Sequence, residues 1–225
     1  MKTDLSDSVV VVTGASGRLG RVVVAHLRAA GAAVAALDLV PPDDAGDGVL
    51  PVGADLADEG AVAEAFARVE AELGTPTALV HTVGMWAGAP LTATPLDAWE
   101  RVLRVNLTST FLCFREAARL MRRSGQGGRL VALASRQGAD AAPAQQAGYA
   151  ASKAGVVRLV EASAAEYAVD GIAAAAIAPS TILFGDEGED ARGVTAEVVA
   201  SLCAYLCGPG GPVHSGTVLR AYGNG

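Results

Sequence analysis

The sequence of 225 residues predicts an α/β fold with three layers, α–β–α, around a doubly wound and mostly parallel sheet of seven strands. Short runs rich in Val, Ala and Leu alternate with longer segments of helical periodicity. Hydrophobic residues make up 51% of the chain but aromatic residues only 4%, a composition that suits buried parallel strands. Glycines also follow the first four helical segments, where helices commonly stop, at Gly31, Gly74, Gly125 and Gly171.

The same patterns place each element along the chain. Strands are predicted at Val9–Val12, Ala33–Leu37, Val49–Val52, Ala78–His81, Arg129–Leu133, Ile172–Ile177 and Thr217–Ala221. Helices are predicted at Leu19–Ala30, Glu59–Leu73, Leu96–Ser124, Tyr149–Val169 and Thr195–Leu206. No linker or fixed-period repeat interrupts this order, so residues 1–225 are predicted to form a single domain.

Charge and composition exclude several classes of function. The chain has 17 Lys and Arg against 24 Asp and Glu, a net charge of −7, so we expect no nucleic-acid partner. No apolar run approaches the ~20 residues that cross a bilayer, and Met1–Ser8 has no apolar signal core, so we expect no membrane partner and a cytoplasmic location. The three cysteines are too few for a disulfide framework, and Cys203 and Cys207 have no His at ligand spacing, so no metal site is predicted.

A glycine-rich turn follows the first strand in the string Thr13-Gly-Ala-Ser-Gly-Arg-Leu-Gly20. Gly14, Gly17 and Gly20 supply a tight turn, close backbone approach and free amides at a helix N-terminus, which together suit the pyrophosphate of a dinucleotide. We expect the intervening residues Ser16, Arg18 and Leu19 to contact the cofactor as well. The alternative is a glycine-rich turn that binds no ligand.

An acidic residue ends the second strand, since Asp38 lies 18 residues beyond Gly20. Its carboxylate is placed to accept hydrogen bonds from the adenosine ribose and to repel a 2′-phosphate, which favours NAD over NADP. Arg18 is the opposing signal, because a cation in the turn suits a 2′-phosphate; the alternative is a solvated residue. Asp55 and Leu56 follow the third strand and are predicted to border the adenine, unless Asp55 is simply a turn residue.

A tyrosine and a lysine four residues apart occur in the string Tyr149-Ala-Ala-Ser-Lys153 on a predicted helix. On one helix face, the ammonium of Lys153 is expected to lower the pKa of the Tyr149 phenol and make it a proton donor. Ser135 ends a strand 14 residues upstream, and Asn106 lies in Val105-Asn-Leu107. With the glycine turn, these residues resemble those of the short-chain dehydrogenase/reductase family over essentially the whole chain, which implies a Rossmann-like fold.

The resemblance implies an enzyme that transfers a hydride between a nicotinamide cofactor and a carbonyl or secondary alcohol. Tyr149 is implied as the general acid or base, and Ser135 as the hydrogen-bond partner of the substrate oxygen. The resemblance implies that Lys153 binds the nicotinamide ribose and that Asn106 holds a water linking Lys153 to solvent. Two alternatives remain. The first is an NADPH-dependent ketoreductase or an enzyme of dehydration or epimerisation. The second is a dinucleotide-binding module without catalysis.

The sequence departs from the family pattern in three segments. Arg18 replaces the middle glycine of the commonest turn, as in a Gly-x-x-Gly-x-x-Gly variant. His81-Thr-Val-Gly84 replaces Asn-Asn-Ala-Gly, so Thr82, Val83 and Gly84 are expected to contact the cofactor through backbone, and His81 to be structural. Pro179, Thr181 and Ile182 resemble the segment beside the nicotinamide, although Phe184 stands where a carboxamide-binding threonine is common.

The substrate side is the least specified by sequence. The resemblance places substrate selection in residues 183–195, which are short and acidic, and beside Met85 and Trp86, which form either an apolar wall or an exposed loop. A small-molecule carbonyl or alcohol is the expected partner. Small and apolar residues on the helices at 107–120 and 150–165 predict a homo-oligomer, a dimer or a tetramer.

Overall fold

A computed structural model describes residues 3–43, 46–188 and 190–224. The strands within these ranges are β1 (Val9–Thr13), β2 (Ala33–Asp38), β3 (Val49–Gly53), β4 (Ala78–His81), β5 (Gly128–Leu133), β6 (Ile172–Pro179), β7 (Ile182–Leu183), β8 (Val194–Thr195) and β9 (Val218–Ala221). Seven of them form one parallel sheet in the order β3-β2-β1-β4-β5-β6-β9. The predicted doubly wound sheet of seven strands is therefore confirmed. The strand order reverses between β1 and β4, where such sheets open a ligand crevice at their carboxyl ends.

The helices also follow the sequence pattern, with one interruption. They are α1 (Arg18–Ala29), α2 (Glu59–Leu73), α3 (Leu96–Leu103), α4 (Ser109–Ser124), α5 (Arg136–Ala139), α6 (Ala147–Glu166) and α7 (Ala196–Cys207). A π-helical turn at Arg104–Thr108 joins α3 to α4, so the predicted helix 96–124 is one helical run with an irregular turn. Such turns are frequent at functional sites. The short α5 was not predicted, and α6 begins two residues before Tyr149.

Helices cover both faces of the sheet because successive strand residues point to opposite sides. On one face, Val10 and Val12 of β1 share a core with residues of α1 and α7. On the other face, Val11 belongs to a core that includes residues of α2, α4 and α6. Cys203 and Cys207 lie buried in the first core, and burial raises the pKa of Cys207 to about 12, which fits packing residues.

The predicted substrate loop at 183–195 contains local structure. β7 and β8 pair in parallel, with Ile182 opposite Val194, and the second strand leads directly into α7. Glu189, inside this segment, lies outside the described residues, as do residues 1, 2 and 225 of the predicted domain. Among the helices that the structure describes, none combines the length and apolar character required to cross a lipid bilayer.

Candidate active site

The glycine turn leaves open space beside the start of α1. Gly14 has a φ of +68°, and a Cβ there would lie 2.8 Å from Thr82 Oγ1. A Cβ at Gly20 would collide with the Gly14 carbonyl oxygen. Gly17 precedes α1 as its N-cap and no side chain caps this helix, so amides of the first turn remain available to an anion.

A cleft of about 340 Å³ lies over this turn. It brings together nine predicted cofactor-binding residues from three separate stretches of chain: Gly14, Gly17, Arg18, Leu19, Gly20, Asp38, Thr82, Val83 and Gly84. Asp38 is fixed at the end of β2, since its carboxylate accepts from the Ser16 amide at 2.9 Å and from the Leu39 amide at 2.7 Å. A negative charge therefore stands at the edge of the cleft.

Arg18 lies in the first turn of α1 with its side chain more than half exposed, as the solvated alternative expected, and it also pairs with a residue of the substrate loop. Its Nη2 lies 2.6 Å from Asp186 Oδ1, and its guanidinium carbon lies 4.0 Å from the centre of the Phe184 ring. The glycine turn is thus linked to the substrate loop through an ion pair whose side chains are 58% and 66% exposed. The Arg18 charge is directed at this loop and is balanced there.

Three other residues predicted to contact the cofactor do not line the cleft. Ser16 directs its hydroxyl to the Val40 carbonyl at 2.6 Å. Asp55 accepts from the Ala57 amide at 2.9 Å and pairs with Arg104 at 3.3 Å, so the turn interpretation fits this carboxylate. Leu56 is buried in the core between the sheet and α2.

A second cavity of about 550 Å³ adjoins the first and shares Leu19, Thr82 and Gly84 with it. It brings together all but one of the remaining predicted residues, the exception being Asn106, which is buried: Ser135, Tyr149, Lys153, Pro179, Thr181 and Ile182. Met85 and Trp86 also line it, although the Trp86 side chain is largely exposed. Most of the predicted catalytic and cofactor residues therefore line one continuous crevice at the carboxyl edge of the sheet.

The hydroxyls of Ser135 and Tyr149 face this cavity. Ser135 caps α5, where its Oγ accepts from the Gly138 amide at 3.2 Å, and its side chain lies beside the Tyr149 phenol. Burial raises the pKa of Tyr149, and the neighbouring Ser135 side chain offsets part of that rise. The phenol is consequently protonated at neutral pH.

Lys153 lines the same cavity, with its side chain almost fully buried. Its buried Nζ donates to the Leu133 carbonyl at 2.7 Å, and burial lowers the pKa of this lysine to about 8. The expected lowering of the Tyr149 pKa by Lys153 does not occur here, because burial of the phenol outweighs other influences. A Cβ at Gly84 would lie 3.0 Å from Nζ, so glycine keeps the space above the ammonium open.

Asn106 supports the site from behind. It is fully buried in the π-helical turn, where its Oδ1 accepts from the Met85 amide at 2.7 Å. Its Nδ2 donates to the Met85 carbonyl at 3.0 Å and to Ser152 Oγ at 2.9 Å. The amide thus holds the segment after β4 against α6, next to Lys153.

His81 is a buried link between two elements of the site, as its structural interpretation anticipates. Its Nδ1 lies 2.9 Å from Thr13 Oγ1 and its Nε2 lies 3.1 Å from Ser109 Oγ. Burial, with a smaller contribution from the Lys153 charge, lowers the pKa of His81 to about 3, so the imidazole is neutral. His81 therefore ties β1 to the start of α4.

Sequence reasoning missed polar residues of the cavity. Gln137, Gln146 and Ser180 line it together with the predicted set. Closeness in sequence to the predicted catalytic residues could have indicated two of them: Gln137 follows Ser135 by two residues, and Gln146 precedes Tyr149 by three. Within the described ranges, no three His, Cys, Asp or Glu side chains are grouped so that they could hold a metal ion.

Residues 8–186 match the family model described as short chain dehydrogenase. The chain belongs to this family. It is 32% identical to the short-chain dehydrogenase/reductase eriH of Hericium erinaceus, over 88% of this chain and 89% of that protein. It is 37% identical to a 2-dehydro-3-deoxy-L-rhamnonate dehydrogenase (NAD(+)) of a Sphingomonas species, over 76% and 70%. A short-chain type dehydrogenase/reductase from Mycobacterium marinum has the same fold, with a TM-score of 0.87 and 27% identity, over 98% of this chain and 96% of that one.

Family membership establishes the general chemistry of the crevice. The protein is an oxidoreductase that binds a nicotinamide cofactor and transfers a hydride to or from a small-molecule substrate. The glycine cleft and the cavity beside Ser135 and Tyr149 are the two spaces that this chemistry requires.

Proposed function

We propose that this dehydrogenase uses NAD(H) to interconvert a carbonyl and a secondary alcohol, with Tyr149 as general acid and base. The observation that carries the proposal is the convergence of Ser135, Tyr149 and Lys153 on one cavity that opens into the glycine cleft. One domain would then hold both cofactor and substrate.

The residues of the glycine cleft fit a dinucleotide. A Cβ at Gly14 would crowd Thr82, and one at Gly84 would crowd Lys153, so glycine at both positions lets the turn, the segment after β4 and Lys153 approach one another around the cleft. The uncapped first turn of α1 suits the pyrophosphate, and Thr181 and Ile182 border the neighbouring cavity where the nicotinamide would lie. The cofactor, when bound, supplies or accepts the hydride.

Proton transfer falls to Tyr149. Its raised pKa keeps the phenol protonated, which suits donation to the oxygen of a carbonyl undergoing reduction. Ser135 would hydrogen-bond the same oxygen, an interaction that strengthens as negative charge develops. Lys153, whose ammonium lies in the same cavity, would bind the ribose hydroxyls of the nicotinamide nucleotide.

The proposed preference for NAD rests on two carboxylates. Asp38 places a negative charge at the end of β2, where a 2′-phosphate would be repelled. Arg18, the cation that would favour NADP, is paired with Asp186. The relative that is named an NAD(+) enzyme agrees with this preference.

Assembly and location are further proposals. The small and apolar residues on the helices at 107–120 and 150–165 support a homodimer or homotetramer. The three cysteines are free and buried, which agrees with a cytoplasmic location. Light scattering on the purified protein tests the assembly.

The test of the proposed function is a panel of ketones and secondary alcohols, each assayed with NADH or NAD and with the phosphorylated cofactors. We expect turnover with at least one substrate and a kcat/KM about tenfold higher with the unphosphorylated cofactor, given one repelling charge near the phosphate. Absence of cofactor turnover across the panel would reject the proposal, and preference for NADPH would reject the choice of NAD.

A further inference from the structure

One side chain of the catalytic cavity has no role in the mechanism above and no partner. Gln146 lines the cavity together with Ser135 and Tyr149. Its Oε1 is buried and makes no hydrogen bond to any residue that the structure describes. Buried polar atoms are nearly always paired, and each exception requires an explanation.

The position of Gln146 at the start of a helix does not explain this amide. Gln146 is the N-cap of α6, and its backbone carbonyl accepts from the Ala150 amide at 2.8 Å. The side chain, however, makes no capping hydrogen bond. Gln146 therefore starts the helix with its backbone alone, and its carboxamide is left for another partner.

The backbone beside this residue is held in an uncommon conformation. Gln145 has a φ of +65°, the only positive φ at a non-glycine residue among those described. Its carbonyl accepts from the Ala89 amide at 2.8 Å, which ties the segment after β4 to the segment before Tyr149. Such strain concentrates at binding sites, where the surrounding structure holds it. The Gln146 backbone is thus fixed next to the phenol.

The amide suits a hydroxyl group in particular. The terminal torsion of glutamine is broad and roughly two-fold, so rotation exchanges the positions of Oε1 and Nε2. Oε1 is enclosed in this structure, so rotation of the carboxamide is required before it can present its acceptor to a molecule in the cavity. A hydroxyl both donates and accepts, so it pairs with the amide in either orientation.

We infer that Gln146 determines substrate specificity by binding a hydroxyl other than the one that reacts at Tyr149. The preferred substrates are then hydroxy-ketones and the diols to which they are reduced. This inference rests on the proposed function, because it requires carbonyl reduction in the same cavity.

The test compares pairs of ketones of equal shape, in which a hydroxyl is replaced by a methyl group. One pair is 4-hydroxy-2-butanone and 2-pentanone, and a second is 3-hydroxy-2-butanone and 3-methyl-2-butanone. The ratio of kcat/KM within each pair is measured for wild type and for Gln146→Met, which keeps the length of the side chain. Gln126→Met, in an exposed turn at the opposite edge of the sheet, controls for the substitution itself.

For at least one pair, we expect the hydroxyl-to-methyl ratio to fall about ten- to hundredfold in Gln146→Met and to stay unchanged in Gln126→Met. Dividing the two ratios removes the intrinsic reactivity of each ketone. Equal ratios in wild type and Gln146→Met overturn the inference while leaving the proposed function intact. Failure of every ketone in wild type instead rejects the proposed function.

A second variant covers the case in which Gln146→Met does not fold. Gln146→Glu retains an acceptor and removes the donor. We expect this variant to keep the preference for hydroxyl over methyl and to discriminate against 4-methoxy-2-butanone, which only accepts. A variant that treats all three groups alike contradicts the assignment.

Discussion

The two walls of the catalytic crevice are held by different kinds of interaction. On the wall formed by the ends of β1, β4 and β5, buried hydrogen bonds of His81, Asn106 and Lys153 fix the backbone. On the exposed wall, where the start of α1 meets the substrate loop, an ion pair joins Arg18 to Asp186. Buried networks hold a single geometry, whereas exposed ion pairs contribute little free energy. We therefore expect substitutions on the fixed wall to have larger effects than substitutions at the exposed ion pair.

The largest expected effect concerns His81, whose neutral form the fixed wall requires. The folded pKa is about 3 and the unfolded value is 6.5, so below pH 6.5 the unfolded chain binds a proton that the folded chain does not. Stability from this residue is complete above pH 6.5 and is lost as the pH falls towards 3, by on the order of 4 kcal/mol. His81→Asn is expected to lose less stability over this range in denaturant unfolding. Parallel pH curves for wild type and variant would contradict the account, and His26→Asn is the matched control.

Removal of the Ser135 hydroxyl tests the fixed wall through catalysis. Ser135→Ala is expected to lower kcat about 10²- to 10³-fold, because a donor to the developing oxyanion is lost. Binding of NADH, measured by fluorescence titration, is expected to stay the same. Ser201→Ala, on the exposed side of α7, is the control. A kcat within experimental error of wild type would remove Ser135 from the mechanism.

The expected effect on cofactor preference is intermediate in size, because it depends on the single, partly buried charge of Asp38. Asp38→Asn removes the repulsion of a 2′-phosphate, so the ratio of kcat/KM for NADPH over NADH should rise about tenfold. Asp97→Asn, exposed in the first turn of α3, is expected to leave the ratio unchanged. An unaltered ratio in Asp38→Asn would assign the preference to other groups.

The smallest expected effect is on the exposed wall. Asp186→Asn breaks the pair with Arg18, in which both side chains are more than half exposed. The expected change in the free energy of unfolding is below about 1 kcal/mol, and kcat/KM with NADH should change less than about threefold. A loss as large as that of Ser135→Ala would show that the two walls do not differ in the way described.

Much of the fold was predictable because the pattern of each strand repeats locally. All seven strands of the main sheet were predicted within a few residues, since short Val and Ala runs separated by helical periods have few other interpretations. The π-helical turn at Arg104–Thr108 was not predictable, because it is specified by contacts of Asn106 with Met85 and Ser152 that are distant in sequence.

The candidate site, like the fold, contains residues that the sequence predicts and contacts that it does not predict. Among the residues that line the glycine cleft, the glycine turn and Asp38 follow from one motif and its spacing, whereas Thr82, Val83 and Gly84 follow from the family resemblance. The pairing of Arg18 with Asp186 joins residues 168 positions apart, so no local pattern reports it. The raised pKa of Tyr149 was also missed, because desolvation depends on how closely the folded chain surrounds the phenol. Sequence spacing predicts which side chains come close together, whereas their burial in the folded chain determines their pKa values and charge states.

The central claim is that the Tyr149 hydroxyl transfers the proton in the crevice. Its most direct test is kcat/KM with NADH and a ketone substrate for Tyr149→Phe, beside Tyr167→Phe at the far end of the same helix. We predict a loss of about 10²- to 10⁴-fold for Tyr149→Phe with unchanged affinity for NADH, and wild-type activity for Tyr167→Phe. Wild-type turnover by Tyr149→Phe would contradict the account.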